Sequence, residues 1–453
     1  MRWHLKWGPA LGCFVLTLVF SLTYYYRAPF HDHWSIVPLY GQMQDGTLSL
    51  SDLFTLHGRH WHASGYAVQL GLSQVTDMGH WAESLASVVV AGFGFLALVR
   101  ILERLALPGA MAWLIGIAAF FYFSLDQAGN WLWGWQVAVF LNMAGALWAI
   151  ERLSCGPPTL KNTGLAALAA AISIYAFATG WALIPIGWAL LLIFGGRQTG
   201  RGLACLALWT LFAGAIGFHF YGSEGPVGAA SVQADLPPLA DAATIKGLAH
   251  YSLNFLASPI VRFARDISVP IAILGGGILV AALWTLRLQD RRTVWTRTAP
   301  ILAIAAYAVG AALLTALGRW EMYGVKQAFV SRYITFGTLF WIAVFALAIV
   351  VIAHFRDRSH RVLIGLLGLL FVLKIGNQPS VIQKTVRLSN SIQASAERVA
   401  ATYPDTPPAD YAILHNPLQT IEPDLTILHA HRVSLFSQTQ TPNSRPEQDE
   451  TAD

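Results

Sequence analysis

Six of the 14 histidines fall between positions 31 and 80: His31, His33, His57, His60, His62 and His80. Asp32 stands among them in Phe30-His31-Asp32-His33-Trp34, a few residues beyond an apolar run. A carboxylate at the edge of an apolar phase loses part of its hydration, which raises its basicity and suits it to accept a proton. The plainer alternative is that Asp32 caps a local turn. A second set of reactive side chains comes from GRWEMYGVKQAFVSRYITF, which supplies Arg319, Glu321, Lys326, Arg332 and Tyr333. The planar arginine fork pairs with two phosphate oxygens at once, although arginine at a helix end also serves as a snorkelling anchor. Arg262 and Arg265 are second candidates of the same kind. His31, Asp32 and His33 carry donors for a divalent cation, but adjacent residues seldom converge on one ion. No metal site is therefore assigned, and no cofactor is firmly implied. Cys13, Cys155 and Cys205 form no CxxC pair.

The elements that must position these groups follow from composition. Of 453 residues, 12% are charged and 55% hydrophobic, 17 are tryptophan, and mean hydropathy is +0.52. That excludes a soluble enzyme, a disordered chain and a disulfide scaffold, and it points to an all-α polytopic membrane protein. Apolar segments run over 10–24, 82–100, 108–125, 131–150, 163–178, 181–196, 202–220, 267–286, 299–317, 333–353 and 362–376. Each approaches the ~20 residues that cross a bilayer, which gives about 11 transmembrane helices. The first has basic residues before it but no clear small-x-small cleavage site after it, so it reads as an uncleaved span. Placing the N-terminus in the cytoplasm puts 15 of the 29 basic residues into short inside loops. The positive-inside rule then places the C-terminus on the periplasmic side of a bacterial inner membrane.

Residues 1–376 form the membrane module, with a first periplasmic loop over 27–81 and a second over 221–266. Residues 377–437 form a small periplasmic C-terminal segment, and 438–453 read as a disordered tail. In the first loop, Leu48, Leu50, Leu53, Phe54 and Leu56 fit one face of a short surface helix with Ser51 as N-cap. Within the C-terminal segment, LSNSIQASAERVAATYP reads as a short helix and YAILHNP as a strand. Asp126 and Asn130 occupy a tight turn, and Trp131, Trp133 and Trp135 after it read as an interfacial aromatic belt.

No P-loop or dinucleotide fingerprint opens a helix, and the +5 charge does not point to nucleic acid. A transporter is the main non-enzyme alternative. Against it stand two unmatched halves and few ionisable groups within the spans.

The layout resembles the GT-C superfamily of polytopic glycosyltransferases and, more closely, a bacterial family of integral membrane proteins related to it. The residues that carry the resemblance are FHDHW, DGTLSLSDLFTLHGRHW, the GRW…AFVSRY segment and the closing LTILHAHRVSLF. Related sequences carry an Asn-Glu-His-Arg-like element where this chain has His57-Gly58-Arg59-His60, so the acid is missing. The resemblance implies a GT-C-like bundle and Asp32 as catalytic base. Its donor would be a polyprenyl-phosphate-linked sugar, and its acceptor an envelope glycan or lipid. It also implies substrate contacts from His31, His33, His57, Arg59, His60, Arg319, Arg332 and Tyr333. The reading predicts one cavity with Asp32 at its wall and Arg319 or Arg332 within about 10 Å. The alternative is a transporter or flippase of envelope lipids or glycans.

Overall fold

A computed structural model describes residues 3–58, 60–107, 109–195, 200–222, 241–286, 291–354, 359–415 and 420–437. Helices follow one another as α1 (Trp3–Tyr24), α2 (Ile36–Gln44), α3 (Ala63–Thr76), α4 (His80–Glu103), α5 (Met111–Tyr122) and α6 (Ala128–Leu132). Then come α7 (Val137–Ser154), α8 (Leu160–Ala176), α9 (Leu183–Gly195), α10 (Gly200–Gly222), α11 (Ala242–Ala257) and α12 (Ser268–Leu286). The chain closes with α13 (Arg291–Tyr323), α14 (Ser331–His354), α15 (Ser359–Thr402), α16 (Pro408–Tyr411) and α17 (Glu422–His431). Among the described residues the one sheet is a hairpin, β1 (Leu56–His57) with β2 (His60–Trp61).

The protein is an all-α polytopic membrane protein. Ten stretches are long and apolar enough to cross a bilayer, and α8, at 17 residues or about 25 Å of helical rise, falls where the eleventh was expected. Side chains that face outward from these helices are apolar, such as Trp113 (76% exposed), Leu211 (72%) and Phe218 (84%). Such a surface suits hydrocarbon, because a helix satisfies its own backbone groups and lipid solvates the rest. Inside, α7 runs against α4 and α8. Gly145 allows this approach, since a Cβ there would lie 2.5 Å from the Ala169 carbonyl oxygen.

Several expected elements differ. The predicted surface helix is instead a single 3-10 turn, Leu50–Phe54, followed by the hairpin. Ser49, not Ser51, caps that turn, in a reciprocal box with Asp52. Gly58 explains the hairpin, because it sits at φ 64°, where a side chain would be strained. The last span does not stop at 376 but continues through the predicted short helix as α15, 44 residues or roughly 66 Å long. Within the described part of the expected strand, Tyr411 ends α16 and turns follow. Residues 438–453 lie outside the described residues, as do 223–240 of the second loop. The tryptophan triple is not an interfacial belt: Trp131, Trp133 and Trp135 are all buried. Trp131 stacks on Phe140 and Trp135 on His62, with ring centroids 4.2 and 3.7 Å apart.

The scarcity of charge in the spans also needs correction. Lys374 of α15 meets Asp126 at 2.5 Å with both side chains at 0% exposure, and Ser124 Oγ donates to the other carboxylate oxygen at 2.5 Å. At the opposite end of α4 and α7, Glu151 pairs with Arg104 and Arg152 at 2.5 and 2.6 Å. Removing one partner of a buried pair strands the other charge, which costs about 3–5 kcal/mol. Lys374→Met is therefore expected to lower the thermal unfolding midpoint in detergent sharply, and adding Asp126→Asn should recover part of that loss. A double variant as unstable as the sum of the two singles would show that the pair is not coupled.

Candidate functional site

The site starts from a strained turn. His31 lies at φ 48°, a left-handed conformation that costs a residue other than glycine about 1 kcal/mol or more. It is held there because its N–H donates to the Leu414 carbonyl at 2.8 Å, while the Trp34 indole N–H donates to the same oxygen at 2.9 Å. The 3-10 turn His31–Ser35 follows. Asp32 points from this turn toward Arg332, whose Nη1 lies 3.6 Å from Oδ2. Both side chains keep about a third or less of their surface exposed, 31% and 27%.

Arg332 is placed by the start of α14. Asn130 of α6 donates to the Ser331 carbonyl at 3.0 Å and to Thr335 Oγ1 at 2.7 Å. Arg319 comes from the end of α13 and Lys326 from the 3-10 turn Val325–Phe329, which α11 supports through Tyr251 and Asn254. Arg262 donates to the Asp126 carbonyl at 2.6 Å, so the buried ion pair and this arginine share one support.

These groups enclose a cavity of about 760 Å³. Among the described residues, Asp32 is the one acid in its lining, against Arg262, Arg265, Arg319, Lys326, Arg332 and Lys384. Four of the cations rest on aromatic faces: Lys384 on Phe263 at 4.8 Å, Arg265 on Phe329 at 5.2 Å, Arg319 on Tyr323 at 5.6 Å and Arg332 on Tyr333 at 5.9 Å. A ring face favours a cation without neutralising it, so the lining keeps a surplus of positive charge. Phe30, Trp133, Val381 and Leu388 add apolar wall. The combination suits an anionic group carried on an apolar body.

Comparison with protein-family models, curated proteins and solved structures finds no match. The site is therefore read from its own geometry.

Of the residues singled out in the sequence, His31, Asp32, His57, Arg319 and Arg332 line the cavity, as do Arg262 and Arg265. His33, His60 and Tyr333 do not. Tyr333 is buried beneath Arg332 and stacked on Phe255. His60 pairs with His57 across the hairpin and packs on Phe177. Arg59 lies outside the described residues. His33 turns inward, its Nε2 3.1 Å from Glu83 Oε1, while His80 Nδ1 lies 3.0 Å from Glu83 Oε2. His31 and Asp32 line the cavity while His33 faces Glu83, so the three do not share one ligand position. Among the described residues, the His, Cys, Asp and Glu side chains close enough together to share an ion are His33, His80 and Glu83.

Sequence reasoning missed Glu83, Lys374, Lys384 and the role of Asp126. His80 and Glu83 were legible, because i,i+3 spacing puts both on one helix face. Lys374 was legible too, as a lone charge in an apolar run. Its partner was not, since 248 residues separate it from Asp126.

Burial disfavours the charged form of His31, His57, His60 and His62. It lowers His31, with Asp32 opposing, and lowers His57, with Asp32 again opposing and Arg319 and Arg332 reinforcing. His60 is brought from 6.5 to about 3, first by burial and then by His57, Arg319 and Arg332, and burial drives His62 well below its ordinary value. A histidine depressed in the fold contributes fully above its ordinary value near 6.5, and the contribution is lost as pH falls from there toward the folded value. The thermal midpoint should therefore drop between about pH 7.5 and pH 5, and less steeply in His60→Phe. Equal acid sensitivity in both proteins would rule out His60 as a source.

Proposed function

We propose that this protein is an inverting glycosyltransferase. It moves a sugar from a polyprenyl-phosphate donor to a cell-envelope glycan or lipid on the periplasmic face of a bacterial inner membrane. The observation that carries this reading is the Asp32–Arg332 pair at 3.6 Å in the wall of a cation-rich cavity with apolar sides. The orientation rests on the basic residues of the short loops, which mark the opposite face as cytoplasmic.

In this mechanism the donor phosphate enters among the cations and competes for Arg332. A contact of 3.6 Å is longer than a charge-assisted hydrogen bond, so the guanidinium can exchange Asp32 for phosphate oxygens. The freed Asp32 carboxylate takes the proton of an acceptor hydroxyl as that oxygen attacks the anomeric carbon. The bond from the anomeric carbon to the phosphate oxygen breaks, its electron pair leaves with polyprenyl phosphate, and the anomeric centre inverts. Arg319 and Arg332 offset the charge that builds on the departing phosphate. His57, kept neutral, is suited to hydrogen bonding with a sugar hydroxyl.

Transport is the second reading, and the Asp126–Lys374 pair favours it, because buried charges within spans often mark a translocation path. Protein in nanodiscs, supplied with undecaprenyl-phosphate-linked hexoses and envelope acceptors, distinguishes the two. Wild type is expected to turn over, Asp32→Asn to lose at least about a hundredfold in kcat, and Arg332→Gln to lose both kcat and donor affinity. Turnover that survives in Asp32→Asn would remove the base. Movement of labelled lipid across proteoliposomes without product, unchanged in Asp32→Asn, would replace the transferase with a transporter.

A further inference from the structure

We propose that His33 Nε2, His80 Nδ1 and the Glu83 carboxylate form a binding site for a first-row transition-metal ion, with Zn²⁺ the best match to the ligands. The three residues come from two segments: His33 from the turn after Phe30, and His80 and Glu83 from the first turn of α4. Their ligand atoms all lie within 4.8 Å of one another, and the residues are 1%, 1% and 6% exposed. The 3.1 and 3.0 Å separations between nitrogen and oxygen fall just short of the roughly 3.3 Å between ligands of a tetrahedral ion bound at ~2.0–2.1 Å. A small outward shift would admit the ion. Two imidazoles and a carboxylate are also a donor set that zinc commonly takes.

Charge supplies the second argument. Among the described residues, the ion-pair partners of Glu83 are these two imidazoles, and no lysine or arginine reaches it. A buried carboxylate needs a compensating positive charge, which a metal ion held between it and the imidazoles would provide. Ser434 Oγ lies 2.8 Å from His80 Nε2. With Nδ1 on the ion, Nε2–H would donate to Ser434 Oγ, the outer hydrogen bond that orients a ligating imidazole. Gly134 leaves room for the carboxylate, since a Cβ there would come within 2.0 Å of Oε2.

The ion would fasten the C-terminal turn Ser434–Phe436 and the start of α4 to the turn that carries Asp32. Its role is to hold that turn in place, and it does not depend on the transferase reading. The test uses full-length, tag-free protein in detergent, loaded with ZnCl₂ or CoCl₂, dialysed and assayed for metal by mass spectrometry. Wild type should retain about one equivalent, and its Co²⁺ form should show the visible bands of a tetrahedral ion. Glu83→Gln, which keeps size and hydrogen bonding, and His33→Ala should each bind at least tenfold more weakly while remaining monodisperse. Folded wild type that retains no metal, or monodisperse variants that retain as much as wild type, would overturn the proposal. Glu83 would then be held by a protonated imidazole instead.

Discussion

The Asp126–Lys374 ion pair fixes the geometry on which the rest of the site depends. Two charges at zero exposure and 2.5 Å apart are costly to bury, and a hydrophobic pair of the same volume is often at least as stable. What the charges add is register. Lys374 locks α15 at one height against the segment 124–136, and Lys384 follows ten residues later, about 15 Å along the helix axis. The same buried node takes the Arg262 guanidinium through the Asp126 carbonyl, and Asn377 of α15 bonds the Ile260 carbonyl close by. Three separate pieces of cavity wall are thereby set relative to one another.

Bilayer physics explains why the wall lies where it does. Within hydrocarbon, polar groups must be satisfied by the protein itself, so the spans carry apolar residues and concentrate exchangeable polar groups at their ends. The cations of the cavity come from helix ends, from the 3-10 turn Val325–Phe329 and from the extension of α15 beyond what a bilayer needs. Arg265, Arg319 and Lys384 rest on aromatic faces, and Arg332 lies over Tyr333 as well as beside Asp32. An arginine that stacks on a ring stays available to an incoming anion, whereas one in a bidentate salt bridge must first give up a partner.

The spans were legible because hydropathy acts over twenty residues at a time, and Asp32, Arg319 and Arg332 stood out as scarce charges beside those spans. Local conformation in the first loop was less legible. The leucines of 48–56 fit a helical face, yet Gly58 at φ 64° allows the chain to reverse, and the hairpin it closes carries His57 to the cavity and His60 away from it. Lys374 was visible as an anomaly but without a partner, since pairing across 248 residues is a product of packing. Trp135 shows the limit of interfacial rules. It follows a helix end as a belt residue would, but it stacks face to face on His62 at 3.7 Å and 6° and is buried.

His31-Asp32-His33 brings these themes together. In a 3-10 turn, successive side chains are about 120° apart, so three neighbours cannot face the same ligand. The left-handed backbone at His31 sets the direction of the whole turn, and its cost is met by two hydrogen bonds to the Leu414 carbonyl. Asp32 consequently faces Arg332 and the cavity, and His33 faces Glu83 and His80 in the interior. One turn thus joins the cation-lined cavity wall to a buried cluster of two imidazoles and a carboxylate. Because His33 follows Asp32 directly, its contact with Glu83 anchors the turn from which the Asp32 carboxylate projects.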